Sequence, residues 1–234
     1  KSLVPSMLIF VRPRYSEKVL HPHLRWALWK KKSVFIPNAS GIYRACLTDT
    51  EKETIKKHYL KKQKRLVVFF GFIYHHKGVE LLFEIADPAS DQIVIAGEVK
   101  DNGYFLRHIT NLAYTAPWRD KVTITGFLST DSLAALLSVA DAVILPFRNG
   151  AGEWNTSIHA AVLNGAFVIT TSLTQRGYDT KHNIYFAKID DIAEMKSALA
   201  TYSGTRRDYN AEIDRDEWRE IADKHYWLYK EVLS

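Results

Sequence analysis

Apolar residues in this chain gather into short runs separated by amphipathic stretches. The runs are Leu66 to Phe70, Gln92 to Ala96, Val122 to Thr125, Ala142 to Leu145, Phe167 to Thr171 and Ile184 to Phe186. Each has the length of a strand, and runs so uniformly apolar belong to strands covered on both faces. Helical spacing fills most of the gaps, as in Val79, Leu82, Phe83 and Ala86, in Leu133, Leu136, Leu137 and Ala140, and in Ile192, Met195 and Leu199. Asp131 and Asp191 stand where N-caps belong. The alternation predicts an α/β domain, a Rossmann-like, doubly wound parallel sheet with helices on both faces.

The ends of the chain follow another pattern. Residues 1 to about 45 hold an apolar strand at Met7 to Val11, a helix containing Leu24, Trp26, Ala27 and Leu28, and Val34 to Ile36 before Pro37-Asn38, which together read as a connecting region. Thr201 to Asp214 is polar and turn-rich. After it, Trp218, Ile221, Ala222, His225, Leu228, Tyr229 and Val232 form the apolar stripe of a closing helix.

Chemistry concentrates between Asp141 and Ser172. Pro146 ends the strand at Leu145, Asn149 and the glycines at 150 and 152 bend the backbone, and Asn155, Thr156 or Ser157 can cap a helix that runs toward Asn164 and stops at Gly165. A strand, loop and helix in this order put free N–H groups at the carboxyl edge of a parallel sheet, where an anion such as a diphosphate is attracted. The same pattern also describes an ordinary βαβ crossover. His159 lies one turn into that helix and either faces a ligand or belongs to the helix surface.

A second junction reads FFGFIYHHKGVELL, residues 69 to 82. A strand ends at Gly71, a helix is expected near Lys77-Gly78, and the Lys77 ammonium would neutralise a phosphate at the same sheet edge. The alternative is a solvated lysine. Gly97, after Ile93 to Ala96, reads first as a tight turn. Gly126-Phe127-Leu128, after Val122 to Thr125, is the better place for a base or ribose, since glycine lets backbone approach a ligand.

Composition narrows the field. The chain has 234 residues, 47% of them hydrophobic, enough for a packed core. A net charge of +6 suits anionic partners of several kinds. Its lysine runs, at 30 to 32 and at 56, 57, 61, 62 and 64, read as solvated faces or as attraction for a membrane or acceptor, with no motif or stacking platform for nucleic acid. The single cysteine, Cys46, excludes an internal disulfide and a cysteine-based zinc site, and no histidine pair has the helix spacing of a zinc protease. No apolar run approaches the 18 or so residues of a spanning helix, and the opening lacks a signal peptide's apolar region. A cytoplasmic setting is expected. The start at Lys1, without an initiator Met, reads as a piece of a longer protein.

Taken in order, the segments VFIPNAS, FFGFIYHHKGVELL, VTITGFLSTDSLAALLSVADAVILPF, GEWNTSIHAAVLNG and DEWREIADKHYWLY resemble the C-terminal, donor-binding half of GT-B glycosyltransferases of family 4, the glycosyl transferases group 1. The resemblance covers about residues 34 to 234. It implies one half of a GT-B architecture, with 1–40 as remnant of an N-terminal domain and inter-domain connection, 41–214 as the nucleotide-sugar-binding domain, and 215–234 as the closing helix. It implies too that Lys77 contacts the donor diphosphate and that Gly152 to Ser157 bind donor sugar and phosphates. The donor contacts it implies are Gly71, Phe72, Lys77, Gly78, Gly97, Gly126, Phe127, Leu128, Gly152, Glu153, Trp154, Asn155, Thr156, Ser157 and His159, with Lys77 and Glu153 as the catalytic pair.

Two positions depart from the family pattern. Phe72 stands where an arginine is usual, and the paired glutamates, with seven residues between them, correspond to Ala160 and Gly152, with Glu153 one residue away. A branch of the family reading PFRDGxSxRRGSLLAALAxGxPVVTT shares the layout PFRNGAGEWNTSIHAAVLNGAFVITT and also lacks those glutamates, although Trp154 and Asn155 replace its arginines. The resemblance implies retaining transfer of a sugar from a nucleotide diphosphate to a saccharide or lipid-linked acceptor, as in polysaccharide biosynthesis. It implies no metal or other cofactor, and peripheral membrane contact is compatible with it. Acceptor groups would come mainly from an N-terminal domain, so the fragment alone is expected to be inactive. The other reading is a non-catalytic module for nucleotide sugar or protein with a degenerate site.

Overall fold

The computed structural model describes residues 8–10, 33–36, 38–98, 103–152, 155–208 and 217–233. The helix expected around Leu24 to Leu28 lies outside them. The chain divides into two compact units, one formed by 1–40, 152–156 and 210–234, the other by 41–151 and 157–209.

In the first unit, strands β1 (Leu8–Phe10) and β2 (Ser33–Phe35) pair in parallel. Val34, Ile36 and Ala39 pack with Ile221 and Leu228 of the closing helix, which spans Glu217–Leu233, and Trp218 Nε1 donates to the Ser40 carbonyl at 2.7 Å. A 550 Å³ hollow beside Ile36 and Trp227 holds none of the expected site residues.

The second unit is the α/β domain. Helix α1 (Asp49–Leu60) leads into β3 (Arg65–Phe70). The chain then passes through two 3₁₀ turns, His75–Lys77 and Val79–Leu81, into the short α2 (Leu82–Ile85). There follow β4 (Asp91–Ala96), α3 (Tyr104–Tyr114), β5 (Val122–Ile124), α4 (Thr130–Val139), β6 (Ala142–Leu145), α5 (Thr156–Leu163) and β7 (Val168–Thr171). The unit ends with β8 (Gly177–Asp179), β9 (Ile184–Ala187) and α6 (Ile192–Tyr202). Strand order across the sheet is β5-β4-β3-β6-β7-β9-β8, parallel throughout except for β8, which runs against β9. The order reverses between β3 and β6. All four residues of β6 and five of the six in β3 are buried, as their unbroken apolar runs require of central strands.

Two expectations need correction. The helix predicted over Val79 to Ala86 is two 3₁₀ turns and one α-helical turn, because Gly78 is left-handed (φ +67°) and Asp87-Pro88 stops the chain soon after. Asp131 is not the N-cap of α4. Ser129 is, accepting from the Ser132 amide at 3.2 Å, and this leaves Asp131 in the first turn, where its charge suits the helix dipole. Asp191 does cap α6, accepting from the Glu194 amide at 3.0 Å. In the polar segment after α6, Arg206 donates to the carbonyls of Ser138 and Ala140 at the end of α4 and of Asn164 at the end of α5.

Candidate functional site

In a sheet of this order, ligands bind beyond the carboxyl ends of the strands at the point where the order reverses. Here that point lies between β3 and β6, and the loops leaving both strands meet there. Arg148 N–H donates to the His76 carbonyl at 3.1 Å. Gly78 lies so close to Pro146 that a Cβ at its position would come within 2.3 Å of the Pro146 oxygen. The Lys77 ammonium rests over the Phe147 ring, 4.4 Å from its centroid. A ring at this distance attracts an ammonium and orients it.

Lys77 therefore sits at the switch point, at the end of the 3₁₀ turn His75–Lys77. What this junction offers an anion is the lysine charge, since no long helix follows it. Three turns extend the same edge. The Gly71 amide bonds the Ala96 carbonyl at 3.0 Å and the Ile73 amide the Glu98 carbonyl at 3.1 Å, which joins the ends of β3 and β4. Gly97 packs against them, and a Cβ there would fall 1.9 Å from the Gly71 oxygen, so Gly97 is a tight turn. Beyond β5, Gly126 is left-handed (φ +70°) with open space where a Cβ would point, and Phe127 is 79% exposed beside the half-buried Leu128.

Phe72, at the position where the family has an arginine, is exposed and tilts against Tyr74 at 6.3 Å between ring centroids, and Tyr74 stacks on His76 at 5.4 Å. Ser157 and His159 are half-buried in the first turns of α5. Gly152, Asn155 and Thr156 fall in the first unit. There the Asn155 amide bonds the Gly152 carbonyl at 2.9 Å and the Asn155 side chain accepts from the Gly152 amide at 2.8 Å, a closed loop just ahead of the helix. Glu153 and Trp154 lie outside the described residues.

Sequence reasoning passed over a charged cluster beside Lys77. Glu80 Oε1 accepts from Arg148 Nη2 at 2.7 Å and Nε at 3.2 Å, while Arg148 Nη1 reaches Asp190 at 2.9 Å. The hydrogen bond to Glu80 raises the Arg148 pKa against the opposing pull of burial. Only the charges themselves were visible in the sequence: Glu80 lies two places beyond Gly78 and Arg148 two places beyond Pro146. Among the described residues no three His, Cys, Asp or Glu side chains gather as metal ligands, and no helix is long and apolar enough to cross a membrane.

Comparison with known proteins fits this architecture. Residues 50–175, more than half of the chain, match the family model "Glycosyl transferases group 1". This chain belongs to that glycosyltransferase family. It is 30% identical over 115 residues to an alpha-D-kanosaminyltransferase of Streptomyces kanamyceticus, covering 47% of this chain and 29% of that protein. It is 26% identical over 160 residues to the putative glycosyltransferase YtcC of Bacillus subtilis, covering 62% and 37%. The matched stretch thus spans well under half the length of either relative. Among solved structures, Anabaena Alr3699/HepE in complex with UDP-glucose superposes with a TM-score of 0.66 at 15% identity, over 84% of this chain and 53% of that one. A glycosyltransferase from Rickettsia africae gives 0.66 at 14% identity, over 96% and 69%. The fold is Rossmann-like, of the kind found in GT-B glycosyltransferases.

Proposed function

We propose that this chain is the donor-binding domain of a retaining family 4 glycosyltransferase, holding a nucleotide-diphosphate sugar for transfer to a saccharide or lipid-linked acceptor. The observation that carries the reading is Lys77, an ammonium held over Phe147 where the loops of β3 and β6 meet. In such a transfer the bond from the anomeric carbon to the diphosphate breaks and negative charge develops on the leaving phosphate. A fixed cation beside it stabilises that charge, a term that often dominates catalysis. Lys77 is the residue assigned this role, with Glu153 as the second catalytic residue, and Gly71, Phe72, Gly78, Gly97, Gly126 to Leu128, Gly152, Trp154 to Ser157 and His159 as further donor contacts. The leaving group is carried by the donor itself, so the reading calls on no cofactor or metal.

The proposed division is 1–40 as connection to an N-terminal domain, 41–214 as donor domain and 215–234 as closing helix. Acceptor groups are assigned to the N-terminal domain, so the 234 residues alone would bind donor without useful turnover. The setting is cytoplasmic, with peripheral membrane contact at the acceptor and polysaccharide biosynthesis as the context. HepE, solved with UDP-glucose, supports a nucleotide-sugar donor by its likeness in fold.

Calorimetry with UDP, GDP and ADP sugars tests the reading. One class is expected to bind, and Lys77→Ala is expected to weaken it about 10- to 100-fold, the loss of one charge-assisted phosphate contact of roughly 1.5–3 kcal/mol. Unchanged affinity in Lys77→Ala would remove the assignment. One observation favours a second reading, a binding module without catalysis: Ala160 and Gly152 occupy the positions of the family's glutamates. Donor binding without turnover in the full-length enzyme would support it.

A further inference from the structure

We propose that Arg148 is a positioning residue for the donor site, its ion pair with Glu80 clamping the turn that carries Lys77 onto the end of β6. The proposal rests on the donor-binding reading above. Lys77 belongs to a three-residue 3₁₀ turn followed by a left-handed glycine and a second short turn, so no long helix carries it. Its place is set from outside. Arg148 grips both sides of Lys77: its backbone amide bonds the His76 carbonyl, and its guanidinium takes Glu80 through two nitrogens. Asp190, itself left-handed at φ +59°, holds the third nitrogen and ties the clamp to the β9–α6 loop.

The charge arrangement separates Arg148 from a phosphate ligand. Its guanidinium donates to two carboxylates and is only 27% exposed. Glu80 is more deeply set, at 13%, and its second oxygen, Oε2, is buried with no hydrogen-bond partner. Without the guanidinium that carboxylate would keep only the His75 ring, 3.9 Å from Oε1, and would turn toward water. The turn Val79–Leu81 would move with it, and the direction of Lys77 would be lost.

A purely structural contact would weaken donor binding equally whether or not Lys77 is present. The test is therefore a double-mutant cycle on the 234-residue chain, read by calorimetry with UDP, GDP and ADP. Arg148→Ala is expected to lower nucleotide affinity by about 5- to 30-fold when Lys77 is present and by less than about twofold in a Lys77→Ala background. Arg148→Lys, which keeps a charge but not the fork, should restore part of the loss. Glu80→Gln should give a smaller loss with the same dependence on Lys77. Should Arg148→Ala fail to fold, Arg148→Lys and Glu80→Gln complete the cycle. Equal losses in both backgrounds, or no loss from Arg148→Ala while Lys77→Ala weakens binding, would overturn the clamp. Absence of binding by all three nucleotides, or no effect of Lys77→Ala, would overturn the donor reading and the clamp with it.

Discussion

Gly78 combines two constraints that only a glycine can satisfy. Its φ of +67° is left-handed, and the Pro146 oxygen occupies the space a Cβ would need. Gly78→Ala is expected to destabilise the domain by about 2 kcal/mol or more, read as a lowered thermal midpoint, because backbone has to yield and not merely a side chain. At this scale the sequence was informative where a residue has a local reason for its type. The pair Lys77-Gly78 follows a strand-like run, and the loop at 149 to 152 is built from turn formers. Arg148 and Glu80 were not legible as partners. They lie 68 positions apart, and only the adjacency of β3 and β6 brings them together.

Helix ends separate what a sequence pattern can and cannot say. Ser129 and Asp131 both precede the apolar stripe of α4 and both are cap formers, so spacing alone does not choose between them. The backbone does, since Ser129 is extended (φ −60°, ψ 158°) and bonds the Ser132 amide. Ser129→Ala is expected to cost about 1 kcal/mol in chemical denaturation and Asp131→Ala about half of that or less. Strands were legible to within one or two residues because central parallel strands are apolar on both faces. Some elements were not, α3 among them, and two show the reason. Helix α1 has no fully buried residue and a charge-rich sequence that reads as a solvated run, and it is defined by the capping box of Thr48 and Glu51. Strand β8 is three half-buried residues on the sheet edge, too short for periodicity.

Across the molecule, the strand order is the feature that turns local turns into a site. Two loops whose Glu80 and Arg148 are 68 positions apart become neighbours because the winding reverses between β3 and β6. Alternation of apolar runs announced a doubly wound sheet, but nothing in a run of valines states which strand lies beside which. Global stability should fall in acid. Glu51 is held below the usual carboxylate range by the Thr48 amide, and Asp87 by the Ala89 amide. Burial pushes Asp179 up, yet bonds from the His182 ring and backbone leave it lowered. Carboxyls depressed in the folded state contribute stability that is present above their ordinary values and lost as pH falls through the lowered ones. The thermal midpoint is therefore expected to drop steadily below about pH 4, and Asp87→Asn to make that slope shallower.

Arg206 has a bearing on where this domain can be cut. It comes after the last helix of its unit, yet one guanidinium closes the open carbonyl ends of two helices, α4 and α5. Trimming the chain at Tyr202, the edge a secondary-structure boundary would suggest, would strip both helices of that stopper at once and expose bare peptide oxygens behind α5. The smallest self-sufficient piece of the domain accordingly reaches past residue 206.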